Sequence, residues 1–139
     1  VTLETREYEC EGEVLRERGR HMRQQQERAI REAYRIGVRM ASGADHYYEE
    51  DAINRISIEV QRFVEFGMSH FDALKTATVN SAELLQIADR TGRIKEGFEA
   101  DMILIPGNPL TNIEALQDVL LVMSNGRLVL KRIPFSVSG

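Results

Sequence analysis

Apolar residues recur at two different spacings along the chain, which separate a mainly helical first part from an extended last part. Residues 13–36 contain no proline, and their apolar residues gather at three- and four-residue intervals, so this stretch predicts one long helix. Gly37 then stands where a C-terminal helix cap is expected. Residues 38–41 predict a short strand that ends in a turn at Ser42 and Gly43. Helix, tight turn and strand form the recurring unit of a parallel α/β structure.

Helical spacing continues in the middle of the chain. Residues 53–64 predict an amphipathic helix that is closed by Gly67. Ser69 followed three residues later by Asp72 resembles a capping box, which predicts a short helix through Ala77. Residues 81–87 predict a further helical segment.

The pattern changes at Asp89, where turn residues begin to separate short extended pieces. Residues 101–105 predict a compact apolar strand. Residues 119–123 and 128–130 predict two more strands, and the Asn125-Gly126 pair between them is a strong hairpin signal. The sequence therefore predicts helices with one parallel-type strand, followed by antiparallel strands.

Composition narrows the class of protein. The 139 residues are 42% hydrophobic and 29% charged, which is the balance of a single globular domain. The formal net charge of −4 argues against a nucleic-acid partner. No apolar run approaches the roughly 20 residues that span a bilayer, so we expect no membrane partner and a cytoplasmic location. Cys10 is the only cysteine, which excludes an internal disulfide.

Few residues offer an obvious chemistry. The three histidines, His21, His46 and His70, lack metal-ligand spacing, and neither a Gly-rich phosphate loop nor a serine-nucleophile elbow is present. Asp45 is the candidate because it follows the predicted strand 38–41 and its turn. The C-terminal ends of parallel strands are where sites are built. By position alone, a role as a cap for a turn or for the next helix remains equally open.

Several motifs in order resemble the closing sequence of the amidohydrolase superfamily, in the branch of prolidase-like and imidazolonepropionase-like enzymes. They cover about two thirds of the chain. These motifs are Ser42-Gly43-Ala44-Asp45, Glu65-Phe66-Gly67-Met68, residues 71–85, residues 92–104, Gly107-Asn108-Pro109-Leu110 and Asn125-Gly126-Arg127.

This resemblance implies an α/β fold. Residues 1–88 would form the C-terminal part of a TIM-type (β/α) barrel, namely its last strand and helices. Residues 89–139 would supply the C-terminal antiparallel strands of a small composite β-sandwich domain. Most matching residues are structural, and for Asp101 we expect a turn or backbone-capping role rather than a catalytic one.

The resemblance also assigns Asp45 a role as catalytic residue and metal neighbour. In the family, this aspartate lies beside one or two divalent metals, for which we expect zinc. It takes a proton from the attacking water and passes it to the leaving nitrogen of a small amide, cyclic amide or dipeptide. One local departure is Ala44, which stands where Thr or Ser is common.

The family's other metal ligands have no counterpart in this sequence, and a complete barrel needs about 250 residues. We therefore expect a fragment of a metal-dependent hydrolase, inactive and without its metal when alone, whose partner is the remainder of the parent chain. We also expect strands 101–105 and 119–130 to lack partner strands, so that the chain self-associates as a homo-oligomer. The alternatives are a non-catalytic α/β module that acts in binding or oligomerisation, and a purely structural domain.

Overall fold

The computed structural model describes residues 12–43 and 55–133. Asp45, His46 and the first residues of the predicted helix 53–64 lie outside the described residues. The described elements are α1 (Glu13–Arg35), α2 (Ile56–Glu65), α3 (His70–Thr76), α4 (Val79–Leu84), β1 (Met102–Leu104), the 3-10 helix η1 (Ile113–Gln117), β2 (Leu121–Ser124) and β3 (Arg127–Lys131).

The first three helices follow the sequence prediction, except that α2 begins at Ile56, after an extended Arg55, rather than at residue 53. Helix α1 ends before Gly37, whose φ of 80° lies in the left-handed region, and Gly67 ends α2 in the same way with φ 96°. Ser69 caps α3 by accepting a hydrogen bond from the Asp72 backbone N–H, so the predicted helix start is confirmed. The reciprocal bond of a capping box is absent, because the Ser69 backbone N–H donates to the Tyr34 hydroxyl instead.

Helix α4 differs from the prediction, because it begins at Val79 and ends at Leu84 rather than covering residues 81–87. Gln86 adopts a left-handed φ of 59° and therefore stops the helix. Its N–H donates to the Glu83 carbonyl, and the Ile87 N–H donates to the Ala82 carbonyl. This is the Schellman arrangement, with glutamine at the position that usually holds glycine.

The core joins the helices to the segment before the hairpin. Helix η1, which the sequence pattern did not predict, begins after Asn112, whose side chain accepts a hydrogen bond from the Glu114 N–H. Its two buried residues are three positions apart and complete the apolar cluster. The buried members of this cluster are Val60, Phe63, Met68, Ala73, Ile113 and Leu116, with Ile30 and Tyr34 of α1 packed against it.

The three strands form one antiparallel sheet in the order β1-β2-β3. The hairpin turn has φ of 48° at Asn125 and 73° at Gly126, and two positive φ values are typical of a type I′ turn. Asp101 accepts a hydrogen bond from the Asn125 N–H at 2.7 Å, which confirms its predicted backbone-capping role. The prediction that strand 101–105 lacks a partner is wrong, since β1 pairs with β2. An antiparallel return through η1 needs no strand from elsewhere.

Residues 38–43, predicted to contain a strand, belong to no sheet within the described part of the chain. A parallel strand needs a neighbour along its edge, and the described ranges provide none. Hydrogen bonds to side chains and to the last carbonyl group of a helix hold this segment instead. No helix in the described ranges is long and apolar enough to cross a membrane.

Candidate functional site

In the segment that leads toward Asp45, backbone groups form three hydrogen bonds with helices α2, α3 and α4. We call residues 38–43 the tethered segment. The Asn80 amide donates to the Met40 carbonyl at 2.8 Å, and the Ser42 N–H donates to the Thr76 carbonyl at 3.0 Å. The Gly43 N–H donates to Glu59 Oε2 at 2.9 Å. The end of the segment is therefore fixed two residues before Asp45.

The end of α3 is well suited to hold this backbone. Thr76 is the last residue of α3 and only 1% exposed, and its hydroxyl donates to the Ala73 carbonyl. The last carbonyls of a helix have no partner within the helix. The Thr76 carbonyl consequently accepts both the Ser42 N–H and the Ser81 hydroxyl.

Glu59 on α2 is the polar residue that the sequence reasoning missed. Burial raises the pKa of its half-buried carboxyl group, and the hydrogen bond from the Gly43 N–H opposes that rise in pKa. The sequence did carry a signal, because Glu59 follows Ile56 by three residues and precedes Phe63 by four. A carboxylate on the apolar stripe of a helix indicates a specific partner.

A cleft of about 380 Å³ lies beside the beginning of the tethered segment, where Val38, Arg39 and Met40 line it. Its charged groups are paired with one another: Glu83 forms ion pairs with Arg39 and, at 3.7 Å, with Arg93. Asp72 and Lys75, which also line the cleft, pair at 3.0 Å. We interpret this cleft as a structural ion-pair network, since its charged side chains pair with one another.

The other candidate residues do not form a centre in the described part of the chain. His21 is exposed on α1, and His70 is the first residue of α3. Among residues 12–43 and 55–133, no group of three or more His, Cys, Asp or Glu side chains could hold a metal ion. The described residues therefore do not fit a metal centre. The catalytic and metal roles of Asp45 stay predictions.

Known proteins resemble this chain over 45% to 84% of its length. A solved Xaa-Pro dipeptidase with bound methionine is 34% identical, superposes with a TM-score of 0.73 and matches 84% of this chain. Ochratoxinase of Aspergillus niger is 33% identical over 92 residues, or 66% of this chain. Imidazolonepropionase of Kosmotoga olearia is 33% identical over 66 residues, or 45% of this chain.

In each comparison the chain corresponds to a minor share of the relative. It spans 28% of the dipeptidase, 18% of the ochratoxinase and 16% of the imidazolonepropionase. The model of the amidohydrolase family matches residues 10–129, which is most of the sequence. The resemblance predicted from the ordered motifs is thus confirmed, and this chain belongs to the amidohydrolase family.

Proposed function

We propose that this chain forms one part of a hydrolase that cleaves carbon–nitrogen bonds in small amides or dipeptides. The observation that carries the proposal is the family match over residues 10–129, in a chain that spans 28% or less of the relatives described above. The likeness to an Xaa-Pro dipeptidase makes dipeptides that end in proline the first substrates to test.

In this proposal the tethered segment is the last strand of a barrel, and its neighbouring strands come from the rest of the enzyme. Residues 1–88 belong to that barrel and residues 89–139 to a small β-domain. Three hydrogen bonds to α2, α3 and α4 hold the segment even though the described ranges supply no strand beside it. These hydrogen bonds are consistent with a segment whose open edge pairs with a further strand.

Asp45 is the proposed catalytic residue. Its carboxylate accepts a proton from the water molecule as the water oxygen bonds to the carbonyl carbon. The same proton then passes to the nitrogen as the carbon–nitrogen bond breaks. A divalent metal, with zinc as the first candidate, would lower the pKa of that water. Since the family's other metal ligands have no counterpart in this sequence, most of its ligands would come from outside this chain.

The test uses the complete protein to which this chain belongs and a panel of proline-terminated dipeptides and simple amides. Asp45→Asn keeps the size of the side chain but removes the proton acceptor, so kcat should fall by about 10³-fold. The control is Asp89→Asn, because Asp89 is exposed in the connection after α4. Full turnover in a folded Asp45→Asn variant would instead favour the purely structural domain.

A further inference from the structure

Hydrogen bonds to the helices recur at every second residue of the tethered segment. The Val38 N–H donates to a carbonyl in the last turn of α1 at 2.9 Å. Two residues later the Met40 carbonyl accepts from Asn80, and after two more the Ser42 N–H donates to Thr76. In an extended strand, the N–H and C=O groups of successive residues point to opposite edges. Helices α1, α3 and α4 therefore hold one edge, which we call the even edge because Val38, Met40 and Ser42 form it.

Gly43 marks the opposite edge of the segment. Its N–H donates to Glu59 of α2 at 2.9 Å, whereas the N–H of the adjacent Ser42 donates to a carbonyl of α3. Consecutive N–H groups that reach two different helices are typical of extended backbone. Arg39, Ala41 and Gly43 therefore form the odd edge, and the Glu59 carboxylate occupies its last described N–H group.

The rest of the odd edge is open. Among the residues that the structure describes, none forms a hydrogen bond with the backbone N–H or C=O of Arg39 or Ala41. A row of unpaired N–H and C=O groups is a template for pairing with a further strand. A strand on the even edge would instead have to displace the bonds to the helices. The two edges are thus unequal, and pairing is favoured at Arg39 and Ala41.

We propose that the odd edge receives one strand from the part of the complete protein that lies outside this chain. The chain spans 28% or less of the relatives described above, so most of such a protein is available to supply this strand. The inference rests on the proposed function, because it assumes the barrel to which the tethered segment belongs. The even edge is then where strand pairing around the barrel is interrupted, and Glu59 ends the pairing beyond Ala41.

Amide hydrogen exchange, resolved to single residues, compares the complete protein with the 139-residue chain. Arg39 and Ala41 should exchange at least about 100-fold more slowly in the complete protein, because only there does a strand bind the odd edge. The Met40 N–H lies on the even edge without a partner among the described residues, so it should exchange fast in both proteins. Ser42 is the internal control and should exchange slowly in both, since Thr76 binds its N–H within the chain.

The pattern across consecutive residues decides between the possible occupants. Slow exchange at Met40 as well as at Ala41 in the complete protein would place strands on both edges and overturn the proposal. Fast exchange at Arg39 and Ala41 there would mean that no strand binds the odd edge. Slow exchange at these two residues in the 139-residue chain as well would assign the edge to a second copy of this chain. Either result would also overturn the proposal.

Two proline replacements provide a second measurement. Ala41→Pro removes an N–H of the open odd edge, whereas Ser42→Pro removes an N–H that Thr76 already binds. We expect Ser42→Pro to lower the thermal midpoint of both proteins. Ala41→Pro should lower it by about 2–4 °C in the complete protein and by much less in the 139-residue chain. An equal fall in the two proteins would trace the effect to strain within this chain and contradict docking at Ala41.

These measurements do not depend on activity. If the complete protein hydrolyses none of the panel, the proposed function fails, and the exchange pattern still tests the odd edge separately.

Discussion

At the scale of single residues, Asp72 gathers three donors at the start of α3. The Ser69 hydroxyl donates at 2.7 Å, the Tyr34 hydroxyl at 2.8 Å and the Lys75 ammonium at 3.0 Å. These hydrogen bonds, with that from Ser69 the largest contributor, lower the pKa of Asp72 from 3.8 to about 2. Because Tyr34 belongs to α1, the ionised carboxylate also joins α1 to α3.

The lowered pKa predicts a pH-dependent contribution to stability. A carboxyl group whose pKa falls on folding stabilises the protein above its unfolded pKa, and it loses that effect as the pH falls through its folded pKa. Asp72→Asn should therefore cost about 1 kcal/mol at pH 7, a value reduced for solvent screening because the side chain is about one-third exposed. The difference from the unmodified chain should shrink as the pH falls from 3.8 towards about 2.

Urea unfolding of both chains across this pH range measures the effect. Asp89→Asn serves as the control, since Asp89 is exposed after α4 and its replacement should change little at any pH. A stability difference for Asp72→Asn that stays constant with pH would contradict the assignment.

At the scale of elements, three helices end in the same backbone arrangement with different residues at the left-handed position. Gly37 and Gly67 end α1 and α2, whereas Gln86 ends α4 with φ 59°. A side chain in this conformation costs energy that glycine avoids.

Replacement of Gln86 by glycine should therefore stabilise the chain. We expect a gain of about 0.5–1 kcal/mol, because the native φ of 59° favours glycine and the side chain is exposed. The adjacent Leu85 is a matched control: it is 65% exposed, but its φ of −81° is ordinary, so Leu85→Gly should not stabilise. A lower thermal midpoint for Gln86→Gly would show that the glutamine side chain stabilises the chain by more than the left-handed backbone conformation destabilises it.

The elements that the sequence predicted are those set by neighbouring residues. The Ser69 cap of α3 and the Asn125-Gly126 turn need only a few residues to form, and both are present. The end of α4 was placed too late because glutamine gives no local sign of a left-handed conformation. Helix η1 was missed because its two buried residues become core residues only by packing against α2, and a local pattern does not show that contact.

The candidate site was predictable only in part, because its contacts also join residues that are far apart in the sequence. The sequence identified Asp45 through motifs and position, and its role stays a prediction. The contact between Glu59 and Gly43 joins residues 16 positions apart. Such pairings depend on how α2 packs beside the tethered segment, so a local pattern could indicate an unusual glutamate but not its partner.

At the scale of the whole molecule, the sheet presents much apolar surface. Ile103, Leu104, Leu128 and Val129 are each between 46% and 66% exposed. Within the described part of the chain, the outer edges of β1 and β3 pair with no other strand. Exposed apolar side chains beside open strand edges favour association with another chain.

The 139-residue chain should therefore associate through the sheet, and a charge on the β3 edge should weaken that association. Val129→Lys places an ammonium group on this edge strand, where such charges oppose strand pairing. Val14→Lys is a matched control, because both valines are 66% exposed but Val14 lies on α1. Sedimentation over a range of concentrations should show less association for Val129→Lys and unchanged association for Val14→Lys. A monomer at every concentration for the unmodified chain would contradict the prediction. Equal effects of the two lysines would assign association to net charge rather than to the open edge.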